Sequence, residues 1–153
     1  MLSDWLSMPM LSRDGDESGG RGPNTRTIAV VDDDPEFLEV MGDLLTSEGY
    51  KVHLHHFRTA EQSHTKIRDK QADLIILDLR VGDTNAGFDL LKLLRLDMRT
   101  AKIPVIMCTA DSLFLQIRGE SLKRLGALPL EKPFQIEHLL SMIRDVFDAP
   151  AYE

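Results

Sequence analysis

Asp32, Asp33 and Asp34 follow directly on the apolar run Ile28 to Val31, Asp78 follows Leu74 to Leu77, Thr109 follows Val105 to Cys108, and Lys132 comes just after Leu130 and Glu131. If those apolar runs lie side by side, a carboxylate pair, a lone carboxylate, a hydroxyl and an ammonium meet at one rim. Three carboxylates brought together repel one another and raise their own pKa values unless a cation shares them. Hard oxygen ligands suit Mg2+, which keeps several waters and takes only a few carboxylates, with Mn2+ the expected substitute. Asp34 reads differently: beside Pro35 it stands where a helix N-terminus favours negative charge.

The elements that must position these groups show in the spacing. The runs Ile28 to Val31, Tyr50 to Leu54, Leu74 to Leu77, Val105 to Cys108 and Ala127 to Leu130 begin at intervals of 22, 24, 31 and 22 residues. Each interval has room for a strand, a turn and a helix. Three of the runs are continuously apolar, as expected of strands covered on both faces. Between them, Phe37, Leu38, Met41, Leu44 and Leu45 recur on one helical face that Pro35 opens and Gly49 stops. Thr59 to Lys70 predicts a weaker helix, Phe88 to Met98 a stronger one with Leu91 and Leu94 inward, and Ile136 to Phe147 a last one. Ser112 to Leu125 predicts a fourth that carries Gly119 in its interior, a residue that costs about 1 kcal/mol against Ala. Five strands alternating with five helices predict an α/β fold, a doubly wound and mainly parallel sheet whose crevice lies at the carboxyl ends of the strands.

Composition removes several classes. With 25 acidic and 18 basic residues among 153, the net charge is -7, a field that repels a phosphate backbone, so no nucleic-acid binding is expected. Hydrophobic residues at 42% and charged residues at 28% match globular usage and exclude wholesale disorder. The single Cys108 cannot form an internal disulfide and reads as a core thiol, and no stretch approaches the roughly 20 apolar residues of a membrane span. A cytoplasmic, membrane-free location is therefore expected. His53, His55 and His56 lie on or after the second strand, the first two on one face; they read as a solvated edge in preference to a metal site. Residues 1 to 26 read as a tail, with Leu2, Trp5, Leu6, Met8, Met10 and Leu11 ahead of a Gly-rich linker.

Val30-Val31-Asp32-Asp33-Asp34-Pro35, Leu77-Asp78, Pro104 to Ala110 and Lys132-Pro133-Phe134, in this order and spacing, resemble the receiver domain of bacterial response regulators over residues 27 to 147. Each motif alone is common; four in register at successive strand ends are specific. The resemblance implies a flavodoxin-like sheet of five parallel strands in the order 2-1-3-4-5. The domain would span 27 to 148, between the tail of 1 to 26 and a short one of 149 to 153. It implies that Asp78 accepts a phosphoryl group from a sensor histidine kinase or a histidine phosphotransfer protein. Mg2+ would be held by Asp33 directly, Asp32 largely through water, Asp78 and the backbone carbonyl of Arg80. Lys132 and Thr109 would contact the phosphoryl oxygens, and the Lys132-Pro133 bond would be cis. Such a protein acts by altered binding of an output protein, here unknown, and is no enzyme beyond its own phosphorylation and dephosphorylation. Phosphoryl transfer through a loose transition state asks a pocket only to align the reacting oxygens and neutralise charge, which agrees with this allocation.

Three features depart from the family pattern. The loop Leu79 to Gly87 is one residue longer than usual and has Gly82 where a proline is common. Pro129 stands three before Lys132, where an aromatic that swings on activation is often found. Because proline cannot swing, the signal is expected to leave through Thr109 and the helix after it, with Pro129 tolerated on an edge strand. Only Ala149 to Glu153 follows the last helix, so the expectation is a stand-alone receiver, with a receiver fragment of a larger regulator as the alternative. A flavin or nucleotide binder would need a phosphate loop where three aspartates stand. An aspartyl-phosphate phosphatase would need an Asp-x-Asp pair, and Asp78 is followed by Leu79 and Arg80.

Overall fold

Alternate residues of the inner strands face opposite sides of one sheet, and the core divides accordingly. The computed structural model describes residues 25 to 80 and 84 to 149. Along them run β1 (Thr27–Asp32), α1 (Pro35–Ser47), β2 (Lys51–His56), α2 (Ala60–Lys70), β3 (Leu74–Asp78), α3 (Ala86–Leu96), β4 (Val105–Thr109), α4 (Ser112–Arg124), β5 (Ala127–Glu131) and α5 (Ile136–Asp148). All strand pairs are parallel, in the order β2-β1-β3-β4-β5. Ile28, Val30, Leu74, Ile76, Ile106 and Cys108 pack with Leu38, Met41 and Leu45 of α1 and Leu139 and Ile143 of α5. Ala29, Val31, Ile75, Leu77, Val105 and Met107 pack on the other face with α2, α3 and α4. The expected doubly wound five-stranded sheet is thus the observed one, and β2 and β5 are its edges.

The helix ends follow the chemistry of their caps. Asp34 accepts a hydrogen bond from the Glu36 N–H at 3.0 Å, and Pro35 occupies the first turn of α1. At the other end Gly49 has φ +98°, its N–H donates to Thr46, and the Tyr50 N–H donates to Leu45, the paired bonds of a left-handed cap. Thr59 caps α2 through the Gln62 N–H. The expected weak point at Gly119 does not interrupt α4, which runs unbroken from Ser112 to Arg124, yet only Leu122 of that helix is buried.

Sequence reading passed over Arg95, near the end of α3. Its guanidinium donates to the carbonyls of Thr100, Ala101 and Ile103 ahead of β4 and to those of Leu125 and Gly126 ahead of β5. Gly126, at φ +74°, sits in the left-handed region that favours glycine, and a Cβ there would come to 3.3 Å from the same guanidinium, which would have to shift by a few tenths of an ångström. The expectations for the tail, including Trp5, and for Gly82 fall on residues outside those described. Among the described residues no helix is long and apolar enough to cross a membrane.

Candidate functional site

The register of the sheet levels the chemistry-bearing positions. Val31 pairs with Leu77, Asp78 with Cys108, and Thr109 with Glu131, so the ends of β1, β3, β4 and β5 meet at one rim. Asp32 is only 2% exposed. One of its carboxylate oxygens accepts from the Asp34 N–H at 3.0 Å, and the other lies 3.4 Å from Lys132 Nζ. Asp78 presents Oδ2 to the same ammonium at 3.4 Å and Oδ1 to the Arg80 N–H at 3.2 Å. Asp33 is half-buried beside them. Oxygens of Asp32, Asp33 and Asp78 fall within 4.8 Å of one another, the one such group of candidate metal ligands found among the described residues.

One ammonium cannot balance three carboxylates. Burial pushes the Asp32 carboxyl up to about 6 against the pull of Lys132 and the Asp34 N–H, and the charge of Asp78 adds to the rise. Burial alone would lower the pKa of Lys132, but Asp32 and Asp78 outweigh it and the net shift is upward. The donors are all hard oxygens, half-buried or deeper, and they fit a small divalent cation that completes its shell with water. Arg80 is brought against Asp78 by its N–H, which keeps its backbone at the rim.

Thr109 is 1% exposed, and its hydroxyl oxygen accepts from the Asp111 N–H at 3.0 Å, leaving its proton free to be donated. Its carbonyl accepts from the Lys132 N–H at 2.7 Å, and the Lys132-Pro133 bond is cis. Gly87 opens the space for the loop beyond Asp78. A Cβ there would lie 2.0 Å from the Asp78 carbonyl oxygen and 2.7 Å from that of Leu79, so no other residue lets α3 approach β3 this closely. Two residues that sequence reading left aside join the rim. Asp111 caps α4 through the Phe114 N–H and pairs with Arg80 at 3.3 Å, and Phe37 lies under Lys132, its ring centroid 4.2 Å from Nζ.

The histidines correct one expectation. His56 is exposed, but His55 is buried, 7% exposed, because α2 covers that face of the edge strand. Its Nε2 finds no hydrogen-bond partner among the described residues, and burial with the nearby charges of His53, Lys66 and Lys70 lowers its pKa to about 4. The fold thus favours neutral His55, whereas the unfolded chain takes the proton near pH 6.5. The stability due to the neutral ring is full above that value and lost as pH falls toward 4, at about 1.4 kcal/mol per pH unit. Wild type should therefore lose about 2 kcal/mol more than His55→Leu between about pH 7.5 and about pH 5. Urea unfolding at the two pH values measures this, and parallel losses in the two proteins would show His55 to be protonated in the fold. Cys108 is core as expected, its thiol pushed up to about 12 by burial.

A rim of this kind at the carboxyl ends of a 2-1-3-4-5 sheet defines a family. The model of the response regulator receiver domain matches residues 28 to 144. The chain is 36% identical over 125 residues to the transcriptional regulatory protein CpxR of Escherichia coli K12, a match that covers 78% of the chain and 48% of the relative. It is 30% identical over 127 residues to the phosphate regulon transcriptional regulatory protein PhoB of Pseudomonas aeruginosa, covering 79% and 51%. It thus spans about half the length of the curated relatives it matches. Among solved structures, the non-phosphorylated HemR receiver domain of Leptospira biflexa superposes with TM-score 0.70 at 27% identity, covering 84% of this chain and 99% of that one. The receiver domain of the sensor histidine kinase PA1611 of Pseudomonas aeruginosa PAO1, with a magnesium ion coordinated in its active-site cleft, superposes with TM-score 0.68 at 25% identity, covering 82% and 99%. The chain belongs to the response regulator receiver domain family and carries the receiver of a two-component signalling system.

Proposed function

We propose that the chain receives a phosphoryl group on Asp78 from a sensor histidine kinase or a histidine phosphotransfer protein, in the cytoplasm, and signals by altered binding of an output protein. The observation that carries this reading is the placement of Asp78 Oδ2 at 3.4 Å from Lys132 Nζ, inside the cluster with Asp32 and Asp33. An oxygen of Asp78 attacks phosphorus, the bond from phosphorus to the donor nitrogen breaks, and the electron pair leaves with the imidazole. Lys132 neutralises charge on the equatorial oxygens, which is most of what a loose transition state requires. The Thr109 hydroxyl donates to the group once it has arrived. Mg2+, when held by Asp32, Asp33, Asp78 and the Arg80 carbonyl, supplies the remaining positive charge. The protein is then a signalling module whose chemistry is confined to its own phosphorylation and dephosphorylation.

Incubation with a small-molecule phosphodonor is expected to add one phosphoryl mass in Mg2+ or Mn2+ and none in chelator, read by intact-mass spectrometry. Equal labelling in chelator would sink the reading. A wider version has the receiver serving a longer regulator. It is favoured by the relatives, of which this chain matches only about half the length and which include two transcriptional regulatory proteins.

The hydrogen bonds support a route for the signal through α4. Thr109 holds the Asp111 N–H, Asp111 caps the first turn of α4, and α4 exposes Leu113 and Ile117 at 62% and 67%. A hydroxyl drawn toward a phosphoryl group therefore pulls on the cap of the least embedded helix. Pro129, on the edge strand opposite Met107, has no rotamer to switch. Hydrogen exchange on phosphorylation is expected to change mainly over residues 109 to 125, and changes centred on 127 to 131 with α4 silent would place the output elsewhere.

A further inference from the structure

Phe37 stands on the first turn of α1, where a half-buried aromatic passes for ordinary helix packing. Its surroundings are not ordinary. Lys132 Nζ lies over the ring at 4.2 Å from the centroid, well inside the reach of a cation over an aromatic face. The same nitrogen is 3.4 Å from Asp32 Oδ2 and 3.4 Å from Asp78 Oδ2. The ammonium is therefore held on three sides: by two carboxylates and by the negative face of a ring. Both ends of the lysine are tied, since its backbone N–H donates to the Thr109 carbonyl at 2.7 Å.

The ring is itself fixed by the site. Asp32 Oδ1 accepts from the Asp34 N–H and Asp34 accepts from the Glu36 N–H, which sets the turn that carries Phe37. One carboxylate thus places the helix turn with one oxygen and the ammonium with the other. A leucine at position 37 would fill similar space against the same core but would offer Lys132 no quadrupole, and a long side chain with four rotatable bonds would lose one of three constraints.

We propose that Phe37 is a positioning residue of the phosphoryl pocket, its ring face holding the Lys132 ammonium at the mouth of the carboxylate cluster, ready for the oxygens of a group arriving on Asp78. The proposal rests on Asp78 being the phosphoacceptor. It predicts that the electronics of the ring matter as well as its bulk.

The test compares the wild type with Phe37→Tyr, Phe37→Leu and pentafluorophenylalanine at position 37, which keeps the ring shape and reverses its quadrupole. Affinity for beryllofluoride in Mg2+ is measured for each by titration, together with the chemical shifts of the Lys132 side-chain methylene next to Nζ and the thermal midpoint. Tyrosine is expected to bind as the wild type does within about twofold, and leucine and the fluorinated ring to bind about fivefold more weakly. The methylene should be shifted upfield by the ring current in the wild type and Phe37→Tyr and released in Phe37→Leu. Wild-type affinity in the fluorinated protein, or a lysine methylene without ring-current shift in the wild type, overturns the role of Phe37 and leaves Asp78 untouched. A wild type that takes up no beryllofluoride overturns the phosphoacceptor reading and this inference with it.

Discussion

Asp78→Asn is expected to reduce phosphorylation by a small-molecule donor to background while leaving the fold intact. The amide keeps the shape of the carboxylate, and its carbonyl oxygen can still accept from the Arg80 N–H, a bond of 3.2 Å in the native protein. What it lacks is an anionic oxygen to attack phosphorus, and no neighbouring group replaces it. Asp32 is 2% exposed and has both oxygens engaged, one by the Asp34 N–H and one by Lys132. The substitution removes one of three mutually repelling charges, so urea unfolding should show stability within about 1 kcal/mol of the wild type or slightly above it. Intact-mass spectrometry after phosphodonor treatment in Mg2+ is the measurement. A phosphoryl adduct that persists in Asp78→Asn would put the acceptor elsewhere, with Asp33 the first residue to examine.

The fold was legible because two periodicities, apolar runs and helical faces, alternate from Ile28 to Phe147, weakest over Thr59 to Lys70, and because parallel sheets admit few topologies. The rim was legible for the same reason: Asp32, Asp78, Thr109 and Lys132 each end an apolar run or follow one closely, and the ends of adjacent parallel strands must meet. What stayed hidden depends on depth or on distant partners. Alternation places His55 on the face opposite Leu54, but only the seating of α2 makes that face a buried one on an edge strand. Asp111 reads as a turn residue until Arg80, 31 positions earlier, is found against it. Phe37 was legible as a member of an apolar face, and its contact with a lysine 95 positions away was not. Arg95 is the clearest case, because a lone arginine on a helix ordinarily reads as a solvated charge.

Arg95→Ala is expected to destabilise the protein by about 3 kcal/mol, with a fall in thermal midpoint of roughly 10 °C. The guanidinium donates to five carbonyls that belong to no helix or strand ladder: Thr100, Ala101 and Ile103 at 3.2, 3.1 and 2.8 Å, and Leu125 and Gly126 across the sheet's lower end. Hydrogen bonds to a charged donor are worth about 1.5 to 3 kcal/mol each when buried, and a plain sum would far exceed the expected loss. The site is half-buried, so water replaces part of the set, and burial already lowers the pKa of the guanidinium. Arg95→Lys should recover less than half, since an ammonium on a shorter reach cannot present a planar fork to carbonyls from two segments at once. The consequence reaches the carboxylate rim through the strands. The segments held by Arg95 lead into β4 and β5, whose far ends carry Thr109 and Lys132, and the relative offset of those two strands sets the 2.7 Å bond between the Lys132 N–H and the Thr109 carbonyl. Equilibrium unfolding in urea measures the first effect. A loss below about 1 kcal/mol in Arg95→Ala would mean that the carbonyls are as well served by water as by the arginine, and that the alignment of β4 and β5 rests on the packing of Val105, Met107, Leu122 and Ala127 alone.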